Sequence, residues 1–140
     1  MKRSNHKISS TIDATPAQAW EIIGAVSGVN NWLAPITDCR IEGDKRICTT
    51  EQGSFEEDII KVDHDNQIFQ YGIPTQNMIP VSDIKGEMKV LENNGKATIE
   101  WSWNYDVEAS DEDEAKEHLT IIGNMGIQGI ESLIKRTVVA

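Results

Sequence analysis

The segment from Ser110 to Val139, "SDEDEAKEHLTIIGNMGIQGIESLIKRTVV", carries the clearest helical pattern in the chain. Ala115, Leu119, Ile122, Ile130, Leu133 and Ile134 recur along one face. Its first turn is acidic and its last basic, as the helix dipole favours. Most of the preceding sequence alternates as strands do. A sheet with one apolar face needs a cover, and only this segment is long enough to supply one. The pattern therefore predicts a curved antiparallel sheet of about seven strands wrapped around a long C-terminal helix, an α+β fold with space between its layers. Gly123, Gly126 and Gly129 lie inside the helical stripe. Each costs about 1 kcal/mol relative to alanine. Either a close approach by another element or a ligand offsets that cost, or the helix bends or frays there.

Upstream, a weak alternation from His6 to Asp13 predicts the first strand. "TPAQAWEIIGAV" opens a helix, with Thr15 at the N-cap, Pro16 at the first helical position and Gln18 closing a capping box. Ala19, Trp20, Ile23 and Val26 form its stripe. "GVNNWLAP" is a second short helix or turn. "ITDCRIEGDKRICTTE" reads as a hairpin around Gly43-Asp44. A two-residue turn there would pair Glu42 with Lys45, Ile41 with Arg46 and Cys39 with Cys48. Further strands follow in "SFEEDIIKVD", "IFQYGI" and "VSDIKGEMKVLE". "PTQNMIP", bounded by Pro74 and Pro80, is a loop.

The last strand, Thr98 to Glu108, contains "WSWNYDV". Trp101, Trp103, Tyr105 and Val107 alternate with Ser102, Asn104 and Asp106, the pattern of a strand with one buried face. Two of the four tryptophans and one of the two tyrosines thus share one side of one strand. Either these rings pack against the glycines of the last helix, or they wall a cavity that holds a ligand.

The 140 residues suggest a single domain spanning 1–140. No apolar run approaches the roughly 18 residues that cross a bilayer. The basic start "MKRSNHKISSTI" has no apolar stretch behind it, so it does not read as a secretory signal and a cytoplasmic protein is expected. The net charge of −10 disfavours nucleic-acid and anionic-membrane partners. Cys39 and Cys48 have neither a C-x-x-C nor a zinc-like spacing, and free thiols are expected in a reducing cytosol. A cross-strand disulfide would need both the hairpin register and an oxidising environment. His6, His64 and His118 are scattered, which gives no support to a metal site or a cofactor.

The ordered series "ATPAQAWEIIGAVSGVNNWLAPI", "CRIEGDKRICTTEQGSFEEDIIKVD", "QYGI…MIPVSDIKGEMKV" and "ATIEWSWNYD" resembles the helix-grip superfamily of START and Bet v 1-like (SRPBCC) proteins, in its polyketide cyclase/dehydrase-like branch. The resemblance spans nearly the whole chain. It implies two short helices after strand one and a deep apolar cavity between sheet and C-terminal helix. Members bind lipids, hormones, polyketides or similar molecules there, and some catalyse cyclisation, dehydration or isomerisation.

On this resemblance Arg46, in "RICT", matches an arginine that follows the family's hairpin. It would grip a carboxylate or enolate oxygen from inside the cavity, or else lie on the surface of an edge strand. The hairpin is shorter than the family's, which leaves the direction of Arg46 open. Glu57 falls where the family often has a glutamate, and could pair with Arg46 or act as a general base. Trp32, Phe69, Tyr71, Trp101, Trp103 and Tyr105 would line the cavity, with "TQNMIP" as its lid. The leading expectation is a binder of a small hydrophobic molecule. The alternatives are a cyclase, dehydratase or isomerase using Arg46 and Glu57, and a protein-interaction module.

Overall fold

The computed structural model describes residues 1–139, with side chains through Thr137. Its strands are β1 (Lys2–Ile12), β2 (Asp38–Glu42), β3 (Lys45–Thr50), β4 (Gly53–Asp63), β5 (Ile68–Ile73), β6 (Val81–Asn93) and β7 (Lys96–Val107). They form one antiparallel sheet in the order β1-β7-β6-β5-β4-β3-β2. Helix α1 (Pro16–Ile23) and a 3-10 turn (Val29–Asn31) follow β1, and the long helix α2 (Glu112–Val139) closes the fold. This is the helix-grip arrangement.

Local chemistry sets most of these boundaries. Thr15 accepts from the Gln18 amide, and the Gln18 side chain accepts from the Thr15 amide, so both partners of the capping box are engaged. The two-residue turn at Gly43-Asp44 holds, and it pairs Ile41 with Arg46 and Cys39 with Cys48. β1 starts at Lys2 rather than His6, because β7 offers it an unbroken ladder from Ile12↔Ala97 to Lys2↔Val107. That pairing is made by main chain and does not require apolar alternation in β1. Helix α1 ends at Ile23, so Val26 is not part of its stripe. Val26 has φ 67°, a left-handed conformation costly for a β-branched residue, and it is buried nonetheless.

The aromatic strand buries Trp101, Trp103, Tyr105 and Val107 on the face toward α2. The glycines of α2 meet these rings. A methyl group at Gly123 would lie 2.8 Å from Trp103 Cη2, and one at Gly126 would lie 2.7 Å from Trp101 Cζ3 and 3.1 Å from Trp32 Cζ3. A methyl at Gly129 would collide with the backbone carbonyl of Trp32. Close approach thus offsets the helix-propensity cost of the three glycines. Trp32 meets Trp101 edge-on at 6.1 Å, and Trp101 stacks on Trp103 at 5.1 Å. Along this seam the space between helix and sheet is filled by the protein's own rings.

Candidate functional site

The gap between the layers opens farther along α2, before the glycines. An apolar recess of about 150 Å³ lies under Leu119 and Ile122. Trp101, Trp103, Tyr71, Ile73 and Ile84 form its sheet wall, and Phe55, Thr50 and Glu57 its side toward β3 and β4. Leu33, Pro35 and Ile36 bound it from the segment after the 3-10 turn. Gln76, Met78 and Ile79 bound it from the β5–β6 loop.

Glu57 is the charged member of this wall. It sits directly opposite Arg46 across β3 and β4, and both are buried. Arg46 Nε donates to Glu57 Oε1, and Arg46 Nη1 donates to the Val26 carbonyl at 2.6 Å. The guanidinium carbon lies 5.0 Å from the Phe69 ring centre and 5.6 Å from that of Tyr71. A buried arginine must be paired and hydrogen-bonded, and here carboxylate, carbonyl and two π-faces meet that need. The Val26 carbonyl is presented by the left-handed turn after α1. The ion pair therefore ties the hairpin to the end of that helix.

Tyr71 comes from β5 on the same face, as a diagonal neighbour of Glu57. Its ring lies over Gly86 of β6, where any side chain would collide with it. Its hydroxyl accepts from Trp101 Nε1 at 3.0 Å. Burial, reinforced by the Glu57 carboxylate, pushes the Tyr71 pKa far above the usual tyrosine value, so the phenol keeps its proton. The β5–β6 loop is organised by one side chain. Gln76 Nε2 donates to the carbonyls of Ile79 and Val81, and its Oε1 accepts from the amides of Met78 and Ile79.

The residues singled out in the sequence fall into two groups. Glu57, Tyr71, Trp101 and Trp103 line the recess. Arg46 stands behind Glu57, with Phe69 stacked on Tyr71 at 5.5 Å. Trp32 fills the glycine seam instead. Tyr105 is fully buried and lies outside the recess. Gly86, Thr50 and Gln76 were not singled out. Only Gly86 left a sequence signal, as a lone glycine on the inward face of β6 between Ile84 and Met88.

Cys39 and Cys48, expected as free thiols, are joined in a disulfide. The register places them opposite each other with their Cα atoms 4.2 Å apart. The free-thiol expectation rested on compartment, which the strand register does not sense. Among the described residues no group of three or more His, Cys, Asp or Glu is placed to hold a metal ion. No helix among them is long and apolar enough to cross a membrane.

The comparisons with known proteins agree with this geometry. Residues 5–126 match the family model described as polyketide cyclase/dehydrase and lipid transport. The chain belongs to this family. Solved structures of the same fold include an uncharacterized protein from Bacillus thuringiensis. It is 20% identical, with a TM-score of 0.84 over 94% of this chain and 98% of that one. The protein XoxI from Bacillus cereus is 23% identical, with a TM-score of 0.79 over 96% of each chain. A Thermobifida fusca protein is 16% identical, with a TM-score of 0.75 over 94% of this chain and 93% of that one. No curated protein matches the chain. At these identities the structures establish the family's fold and leave its chemistry open.

Proposed function

We propose that this family member binds a small hydrophobic molecule in the recess between α2 and the sheet. The observation that carries the reading is the recess itself. It is apolar over most of its wall, about 150 Å³ in volume, and carries a few convergent polar groups in Glu57, Tyr71 and Thr50. The ligand contacts assigned are Tyr71, Trp101 and Trp103, with Glu57 as the polar contact and Arg46 as the residue that positions Glu57. A cavity of this size accepts a single-ring guest. A long acyl chain or a fused-ring polyketide would require the β5–β6 loop to move. Titration followed by tryptophan emission, together with native mass spectrometry of freshly purified protein, tests the reading. A retained small molecule or a saturable change in Trp101 and Trp103 emission supports it. A silent response to toluene, phenols and fatty acids alike counts against it.

An enzymatic role retains one supporting feature, because Glu57 lines the recess beside a protonated tyrosine and could move a proton. The oxyanion role first considered for Arg46 has no such support, since the guanidinium is engaged by Glu57 and Val26 behind the wall. The interaction-module reading gains little. Apart from Ile121 and Met125, one turn apart on α2, the exposed large apolar residues Met1, Ile41, Ile60, Met78 and Leu91 lie on different elements. A cytoplasmic location sits uneasily with the disulfide, which a reducing cytosol keeps open. Thiol titration of protein isolated under alkylating conditions decides the point.

A further inference from the structure

From the polar groups of the recess we infer the chemical class of its guest: an uncharged, single-ring molecule bearing a hydroxyl, as in a simple phenol, and not a carboxylate. The inference rests on the binding reading above and deepens it. Three observations carry it.

The first is the sign of the polar wall. Among the described residues, Arg46 is the only hydrogen-bond donor to Glu57, and it reaches Oε1. The other carboxylate oxygen remains an acceptor in a wall residue of the recess. Arg46 itself does not line the recess, and its Nε and Nη1 are spent on Glu57 and the Val26 carbonyl. A guest carboxylate would thus meet a carboxylate oxygen whose nearby cation, Arg46, is already paired with it behind the wall, which leaves the guest's buried charge without a partner of its own. A fatty acid or aromatic acid is disfavoured by the residue pair that, at first sight, looks built to hold one.

The second is Tyr71. Its hydroxyl oxygen accepts from Trp101 Nε1, while no acceptor among the described residues takes its own proton. Thr50 Oγ1 is engaged with Gly53 and Gln52, and the Gln76 amide with its own loop, so the recess presents one acceptor, from Glu57, and one donor, from Tyr71, on diagonal positions of adjacent strands. A hydroxyl answers both: it donates to the carboxylate and accepts from the phenol. An ether or ketone answers only Tyr71, and a hydrocarbon answers neither.

The third is size. About 150 Å³ surrounded by Trp101, Trp103, Phe55 and Ile84 fits one aromatic ring with a small substituent.

Isothermal titration of the intact protein with p-cresol, toluene and benzoate tests the inference. The three probes are close in size: p-cresol adds a hydroxyl to toluene, and benzoate carries a carboxylate where toluene has its methyl. The expected result is p-cresol binding about tenfold more tightly than toluene, the worth of a satisfied polar pair, with no binding of benzoate. Tyr71→Phe keeps the ring over Gly86 and removes the hydroxyl, which is both the donor offered to the guest and the acceptor of Trp101 Nε1. It should narrow the preference for p-cresol over toluene severalfold, read as the ratio of the two affinities in the same variant, with circular dichroism confirming the fold. Toluene binding as tightly as p-cresol, or benzoate binding best, overturns the assignment of class and leaves the binding reading standing. Failure of all three to bind overturns both.

Discussion

At Gly126, α2 rests directly on Trp101 and Trp32, with no room for a methyl group between them. One to two turns earlier, at Leu119 and Ile122, the same helix stands back from Trp101 and Trp103, and the recess begins. The two regions share one strand and one helix. They differ in what the helix contributes, glycine in the first and branched aliphatic side chains in the second. They differ also in their flanks, since Trp32 plugs the glycine end while the β5–β6 loop roofs the other. Closeness of packing in a helix-grip fold is thus set position by position along one helix. Trp101 and Trp103 serve as core where they meet the glycines and as cavity wall under Leu119 and Ile122.

Substitutions can break or sharpen this contrast. The largest effect is expected at the polar edge of the open region. Glu57→Gln leaves Arg46 buried without its counter-charge and should cost about 3–5 kcal/mol in denaturant-derived stability. Replacing both together, as Arg46→Met with Glu57→Leu, should cost far less. If Glu57→Gln alone is neutral, the pair is not held in the buried geometry described. At the closed region, Gly129→Ala should cost about 2–3 kcal/mol despite its better helix propensity, because the added methyl meets the Trp32 backbone and not a movable side chain. In the open region, Ile79→Phe adds bulk on a half-buried loop position that borders the recess. It should change stability by less than about 1 kcal/mol and abolish binding of a one-ring probe. Equal costs for Gly129→Ala and Ile79→Phe would erase the distinction between the two regions.

Two further effects lie away from the seam. Reducing the disulfide releases a loop with a sequence separation of 9 and should cost about 2.5 kcal/mol by loop-closure entropy, read as a lower urea midpoint. His6 stacks on Trp103 and shares a hydrogen bond with Thr120 at 2.6 Å. Burial, with help from Lys116, lowers its pKa below 6.5. The unfolded chain then binds this proton more readily than the folded one, so stability should fall as pH drops through about 6.5 and below. His6→Asn should flatten that part of the profile between pH 7 and 5. An unchanged slope would show that His6 is not the group responsible.

The sheet, the succession of elements along the chain and the capped helix were legible because period-two and capping signals are local, and the Gly43-Asp44 turn alone determined which residues faced each other across the hairpin. The next turn, at Glu51-Gln52, puts Arg46 opposite Glu57 on the adjacent strand. Burial of both was not legible, because it depends on the Val26 carbonyl. That carbonyl is presented by a left-handed residue that nothing in "GAVSG" marks as special, where two glycines nearby would be the usual candidates. Trp32 and Trp101 were both readable as inward-facing rings. Both meet Gly126 and only Trp101 also borders the recess, a difference that depended on where along α2 each ring landed, a matter of a single helical turn. The disulfide was legible as a pairing and missed as a bond, since its formation turns on redox environment and not on pattern.

The central claim is that α2 and the sheet are in contact at the glycines and apart at Leu119. Diffraction from a crystal held under xenon pressure tests it most directly, because xenon enters dry apolar cavities of this size without needing a particular polar group. Xenon density is expected among Tyr71, Ile84, Trp101 and Leu119, and none beside Gly126. A crystal in which that space is occupied by the protein's own side chains, or in which xenon settles against the glycines instead, would contradict it.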